Sequence, residues 1–286
     1  MPHCSMRDEV DNMTENAFIR QTLALTVREL RHWYRSKIQV FMAVVQPLIW
    51  LGLFGVMMSG MLQSQIPNYF SFLALGVVVI TALTTAMSSG MSLIWDRRFG
   101  FLSKLRAAPI PRGVIPLSRV LAATVKAILQ CTLVFCVALI LSRFENASLI
   151  TDAFSVWSIP VLYLCVIGVG MTFSSVFVAL GLIIKTHESF LAANTLLMMP
   201  LMFMSGAMFP LNYLNPNGFG KVLIVIAKGN PLTYAADALR HAFLGKDTML
   251  AVPSVSLGVG IIILMVVALA VTILGMYFGR RALRTE

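Results

Sequence analysis

The sequence predicts an all-α polytopic membrane protein. We expect six transmembrane helices, an N-terminal amphipathic interface helix, and short outer re-entrant helices between spans five and six. Three observations carry this reading. Of 286 residues, 58% are hydrophobic and 12% charged, with a mean hydropathy of +0.84; a soluble chain holds about 45–50% apolar and about 25% charged residues. Six apolar runs each reach the roughly 20 residues needed to cross about 30 Å of hydrocarbon. Ionisable side chains are nearly absent from the centres of those runs.

Residues 1–37 are charged throughout and lack an early apolar core, so they read as a cytoplasmic N-terminal segment and not as a secretory signal. Within it, Ile19, Leu23, Val27, Leu30 and Tyr34 fall on an arc of roughly 80° at 100° per residue. Arg20, Arg28, Arg31 and Arg35 occupy the neighbouring arc. A basic flank beside an apolar stripe fits a helix lying in the inner membrane interface, and equally one packed on the chain's own loops. The transmembrane domain, 38–279, holds spans at 38–58, 69–94, 117–141, 157–184, 190–210 and 255–278. Gln46-Pro47 and Met199-Pro200 place helix breakers inside two of them. Spans four and five are separated only by 185–189, which demands a tight hairpin. Between spans five and six, Val222–Ala227 is too short to cross. Asn230-Pro231 supplies an N-cap and a first-turn proline for a helix that Gly245 stops. Residues 280–286 form a cytoplasmic tail.

Basic residues set the orientation. Sixteen fall on one side: Arg7, Arg20, Arg28, Arg31, Arg35 and Lys37; Arg97, Arg98, Lys104, Arg106, Arg112 and Arg119; Lys185; Arg280, Arg281 and Arg284. The other side has none in 59–68, Arg143 in 142–156, and four in the long segment 211–254. The positive-inside rule therefore puts both termini in the cytoplasm of a multi-pass protein of the cell (plasma) membrane. The net charge of +10 reads as topology plus attraction to anionic inner-leaflet lipid, with no nucleic acid as partner. Of the cysteines Cys4, Cys131, Cys136 and Cys165, three lie in apolar runs, and no disulfide framework is implied.

Between residues 38 and 279 the acids are Asp96, Glu145, Asp152, Glu188, Asp237 and Asp247, all in loops or at span ends. Ion-coupled carriers generally bind their ion through intramembrane carboxylates or histidines, so this pattern argues against one. Lys126, the ionisable group deepest in a span, reads as snorkelling to the inner interface. No phosphate-binding loop, zinc pair or nucleophile elbow is present: His187-Glu188 is followed by Leu191, not a second histidine, and neither Gly-Lys dipeptide sits in a nucleotide motif. Neither catalytic residues, metal nor cofactor is expected. Uphill transport by this chain requires energy from a partner.

The stretch 95–116 could receive that energy. Charges alternate there with Phe99, Phe101, Leu102 and Leu105, Gly100 permits a turn, and Pro109, Pro111 and Pro116 stiffen the return. Topology alone would also explain its basic character. Three stretches together resemble the type-2 ABC exporter permeases, which include antibiotic-resistance and nodulation-factor exporters. They are Trp95-Asp96-Arg97-Arg98-Phe99-Gly100-Phe101-Leu102 leading to Ala108-Pro109-Ile110-Pro111-Arg112, then Ser205-Gly206-Ala207-Met208-Phe209-Pro210-Leu211, then the run from Asn230-Pro231-Leu232-Thr233-Tyr234 to Arg240. The likeness covers about 18–284. It departs at Arg98 and at Ser103-Lys104, where relatives often carry acids.

The resemblance implies a membrane subunit paired with a second permease copy or homologue. Each is driven by a cytoplasmic ATP-binding cassette subunit that binds the ATP. Arg97, Arg98, Phe99, Phe101 and Leu102 would be coupling contacts, with Arg28, Arg31 and Arg35 on the interface helix beside them. Asn230, Pro231, Tyr234, Asp237 and Arg240 would build an outer cap, with Asp237 and Arg240 paired at i, i+3. The cargo would be a hydrophobic or amphipathic compound, drug, lipid or glycan. The methionines of span five (Met198, Met199, Met202, Met204, Met208) either line an adaptable apolar path or serve packing and lipid. The competing functions are a non-transport assembly or anchor protein and an ion-driven secondary carrier.

Overall fold

A computed structural model describes residues 3–62, 69–108, 110–144, 149, 154–209, 218–245 and 256–285. Pro109, Pro210 and Leu211 of the motifs above lie outside the described residues, as do parts of the expected loops. The described chain consists of helices: α1 His3–Arg35, α2 Lys37–Ile49, a π-helical turn Trp50–Gly55, α3 Val56–Leu62, α4 Tyr69–Arg98, α5 Phe101–Ala107, α6 Val114–Phe144, α7 Ser158–Ile183, α8 His187–Phe203, α9 Phe219–Gly229, α10 Pro231–Leu244 and α11 Leu257–Thr285.

Five of these segments are long and apolar enough to cross a membrane: Lys37–Gly60, Tyr69–Arg98, Val114–Phe144, Ser158–Ile183 and Leu257–Gly279. The chain is thus an all-α polytopic membrane protein. The expected fifth span, 190–210, differs. Its helix, α8, has 17 residues, about 25 Å at 1.5 Å per residue. Two features go with this end: Gly206 adopts φ 68°, a left-handed conformation that does not propagate a helix, and the carbonyls of Gly206 and Ala207 find a distant donor in Arg240. Residues 205–208 then run non-helically yet fully buried. Span one is also irregular. Pro47 lacks an N–H, and the backbone widens into the π-helical turn three residues later.

α4 is the central post, with 89% of its most apolar window buried. It packs on α6, α7 and α10, while α11 lies on the far side of α7. Glycines set the closest approaches. A Cβ on Gly76 would collide with the Ala207 carbonyl, and one on Gly181 with the backbone of Gly90. α2 and α11 instead expose apolar stripes (Ile38, Phe41, Ile49; Ile262, Val266, Leu269, Ile273). In water that would be costly, but in hydrocarbon it is the expected surface.

α1 shows which face of the N-terminal helix meets the bundle. Of the apolar stripe, Ile19, Leu23, Val27 and Tyr34 are exposed and Leu30 is half-buried, whereas Thr22, Thr26 and Glu29 are buried against the bundle. Thr26 Oγ1 donates to the Ser118 carbonyl of α6 at 3.3 Å. The helix thus turns its polar face to the protein and its apolar face outward, the orientation a membrane-interface helix requires.

Candidate coupling and translocation site

Three features occupy the bundle: an ion cluster at the α1–α5 end, an Arg-centred knot at the opposite end, and a crevice between them.

The ion cluster ties α1, α4 and α6. Arg119 of α6 donates through Nη1 to Glu29 of α1 and through Nη2 to Asp96 of α4, and Nη1 also reaches Ser92 Oγ at 3.1 Å. Arg28 lies 3.8 Å from both Glu29 and Asp96, and its guanidinium stacks 3.6 Å from the centre of the Phe101 ring of α5. Lys126 lies 3.7 Å from Glu29. Removing one partner from such a buried arrangement typically costs about 3–5 kcal/mol, because it strands an uncompensated charge. Lys126 does not snorkel as expected: its side chain is 9% exposed, held inside by the Glu29 carboxylate.

α5 is pinned on one side and open on the other. Leu102 and Leu105 are buried with Leu93, Ile115, Val120, Val178 and Leu182 in a small core of their own. Gly100, at φ 70°, makes the turn between α4 and α5. Arg97 donates to the Ile184 and Leu182 carbonyls at 2.8 and 2.9 Å, satisfying the C-terminal end of α7. Arg98 and Phe99 point outward, with Phe99 75% exposed. The five loop residues therefore divide. Arg97 and Leu102 anchor the loop, Phe101 is half-buried beneath Arg28, and Arg98 and Phe99 are exposed, both resting on the Trp95 ring at 5.8 Å. Arg31 and Arg35 are exposed on α1.

At the other end, Arg240 of α10 is 0% exposed. It donates to the carbonyls of Gly206 (2.9 Å), Ala207 (2.7 Å) and Phe72 (3.5 Å), and its guanidinium lies 3.5 Å from the centre of the Phe72 ring. Asp237 sits 3.7 Å away at i, i+3. Tyr69 Oη donates to the Met208 carbonyl at 3.0 Å. Burial pulls the Arg240 guanidinium down to about 10, with Asp237 opposing, so it stays charged at neutral pH. The pair is thus no surface ion pair: Arg240 satisfies the carbonyls of the buried non-helical stretch after α8, as backbone in an apolar interior requires. Asn230 caps α10 by accepting from Leu232 N (3.0 Å) and fastens it to α8 through the Leu201 carbonyl (2.8 Å). Pro231 opens the helix, and Tyr234 Oη donates to the Lys228 carbonyl at 2.7 Å.

The crevice has two abutting chambers. The one nearer the ion cluster, about 660 Å³, is lined by Arg28, Glu29, Asp96 and Lys126 together with Trp33 and Trp95. The other, about 430 Å³, has no charged lining and is walled by Trp50, Ile80, Met87, Met198, Met199 and Met202. Gln46, Pro47, Thr81, Thr84 and Met87 border both. Four of the five span-five methionines, Met198, Met199, Met202 and Met208, therefore line the smaller chamber, and Met199 also exposes atoms outward.

Glu29 and Arg119 are the residues that sequence reasoning missed as a site. Glu29 lay outside the search for intramembrane acids, and Arg119 was counted toward topology alone. The available signal was an acid on the face of an amphipathic helix opposite to its apolar stripe.

The ABC-2 type transporter family model matches residues 20–244. The protein ycf38 of Cyanophora paradoxa, named as a transport permease, is 31% identical over 243 residues, covering 83% of this chain and 79% of that one. Nodulation protein J of Rhizobium meliloti is 27% identical over 214 residues (71% and 73% covered). The inner membrane transport permease YadH of Escherichia coli K12 is 23% identical over 228 residues (78% and 82%). The chain belongs to the ABC-2 type transporter family and is a multi-pass ABC transporter membrane subunit, a transport permease whose ATPase is a separate subunit.

Proposed function

We propose that this chain forms the membrane path of an exporter in the cell membrane, both termini cytoplasmic, pairing with a second permease and driven by a cytoplasmic ATP-binding cassette subunit. The observation that carries the reading is the division within 97–102: one side of the loop is locked to α4, α6 and α7, while Arg98 and Phe99 are offered outward. A load applied to Arg98 and Phe99 passes through α5 and the Arg28–Phe101 stack into the ion cluster, and so into three helices at once. The basic character of this loop fits an acidic docking surface on the ATPase. Cargo enters the crevice between α2, α4 and α8, and the exposed faces of α2 and α8 receive the second permease.

The cargo class that suits these chambers is a hydrophobic or amphipathic compound such as a drug, lipid or lipid-borne glycan. Homodimer and heterodimer are separated by whether the chain alone, purified with its ATPase, reconstitutes activity. The test is ATP-dependent flux in inverted vesicles with an ATP-binding cassette subunit that co-purifies with the chain. Arg98→Glu with Phe99→Ser should abolish ATPase recruitment while leaving the chain folded. An unaltered flux in that variant refutes the coupling assignment, and failure of the chain to associate with any such ATPase refutes the function.

A further inference from the structure

The crevice of the proposed transport path carries one group that its architecture does not use up. In the ion cluster, Arg28, Arg119 and Lys126 face Glu29 and Asp96, an excess of one positive charge. Arg119 bonds one oxygen of each carboxylate, Glu29 Oε1 and Asp96 Oδ2, and Glu29 Oε2 faces Lys126. Lys126 has only the 3.7 Å approach to Glu29 and makes no hydrogen bond among the described residues. Its ammonium nevertheless lines the larger chamber, some 18 Å along α6 from Val114 at 1.5 Å per residue. The ammonium opens on the chamber, where an occupant can supply the hydrogen-bond acceptors that Glu29 does not. Directly above, the second chamber has no charge and is walled by methionine, isoleucine and tryptophan.

We infer that the crevice takes an amphiphile bearing an anionic headgroup, phosphate or carboxylate, with the headgroup on Lys126 and the apolar body in the methionine-lined chamber. The inference rests on the transport path proposed above and names the cargo chemistry that path selects. Arg28, exposed at the mouth, attracts the headgroup, and Lys126 holds it. Gln130, one turn further along α6 and hydrogen-bonded to Thr85, lines the same chamber. The excess positive charge is matched by one negative headgroup, so a neutral analogue of the same apolar length loses a charge-assisted interaction.

Trp33 and Trp95 line the charged chamber and Trp50 the apolar one, so native fluorescence reports occupancy once Trp157 is replaced by Phe. The full-length chain in phosphatidylcholine nanodiscs is titrated with 12-bromododecyl phosphate and with 12-bromododecanol, each corrected for partitioning into empty nanodiscs. Quenching by the phosphate at about tenfold lower concentration is expected, the scale of one charge-assisted hydrogen bond. Lys126→Met should erase that preference and Lys126→Arg should keep it. Equal binding of the two probes to the Trp157→Phe background, or a preference that survives Lys126→Met, overturns the inference and leaves the transport path standing. Absence of quenching by either probe overturns both. The comparison of the two probes in the background protein needs no lysine variant, so it stands even where Lys126→Met does not fold.

Discussion

Replacing Arg240 by methionine tests whether the non-helical stretch after α8 is held by that one side chain. Methionine keeps the volume and loses every donor. The Gly206 and Ala207 carbonyls lose bonds of 2.9 and 2.7 Å, and the Phe72 carbonyl a weaker one at 3.5 Å. Each buried acceptor left unpaired costs about 1–3 kcal/mol. The guanidinium–ring stack at 3.5 Å over Phe72 adds up to about 2 kcal/mol in a desolvated site. Relaxation and residual water lower the sum, so a loss of about 3–5 kcal/mol is expected. For a chain of this size that is a fall in Tm on the order of 10 °C. Arg240→Lys should recover only part of it, because an ammonium cannot span acceptors that a planar fork reaches together. The assay is thermal unfolding of the purified permease in detergent, with Tyr234→Phe as control, since that hydroxyl serves only the exposed Lys228 carbonyl. If Arg240→Met melts within a degree or two of that control, the carbonyls are not held by Arg240 and the account of the short α8 fails.

Glu29→Gln leaves Arg119 with one carboxylate and should cost about 3–5 kcal/mol in the same melt; restoration of stability by no pairing of charges at 29 and 119, including the swap, would count against the cluster as the joint of α1, α4 and α6. Leu102→Glu should destabilise the fold by about 2–4 kcal/mol through loss of its small core, whereas Phe99→Ala should leave Tm unchanged and lower ATPase stimulation, measured as phosphate release from the reconstituted complex. Gly76→Val should abolish recovery of folded protein on size-exclusion chromatography, because a Cβ there meets the backbone of Ala207. Replacing Leu23 and Val27 by Glu should weaken retention of α1 at a lipid surface without breaking its packing on α6, read as increased protease access in nanodiscs.

The spans were legible because their signal is additive: about 20 apolar residues in a row override any local doubt. Tyr69–Arg98 and Ser158–Ile183 match the expected 69–94 and 157–184 closely for that reason. The fifth span was not legible at its outer end, where Ser205-Gly206-Ala207 is apolar by composition and yet leaves the helix. Hydropathy counts side chains, while the decision there is made by backbone carbonyls that a distant arginine, 33 residues on, satisfies. The cap helix was legible in its start and stop, since Asn230, Pro231 and Gly245 act locally. Its depth was not, because an arginine at i+3 from an aspartate looks the same in sequence whether it faces water or Phe72.

The same limit explains α1. A periodic apolar stripe fixes which residues share a face, and the sequence contains that correctly, but it does not state which face meets the protein. In a soluble domain the apolar face would turn inward. Here the choice is reversed: Arg119 and Lys126 demand that Glu29 face the bundle, and the amphipathic pattern demands that Ile19, Leu23 and Val27 then face away from it. Both demands are met by one rotation of the helix. α1 is held to the bundle by polar groups and turns its apolar ones outward. On the proposed coupling route, a push at Phe99 or Arg98 would meet its resistance at the ion cluster, where the few charges of this chain join α1, α4 and α6.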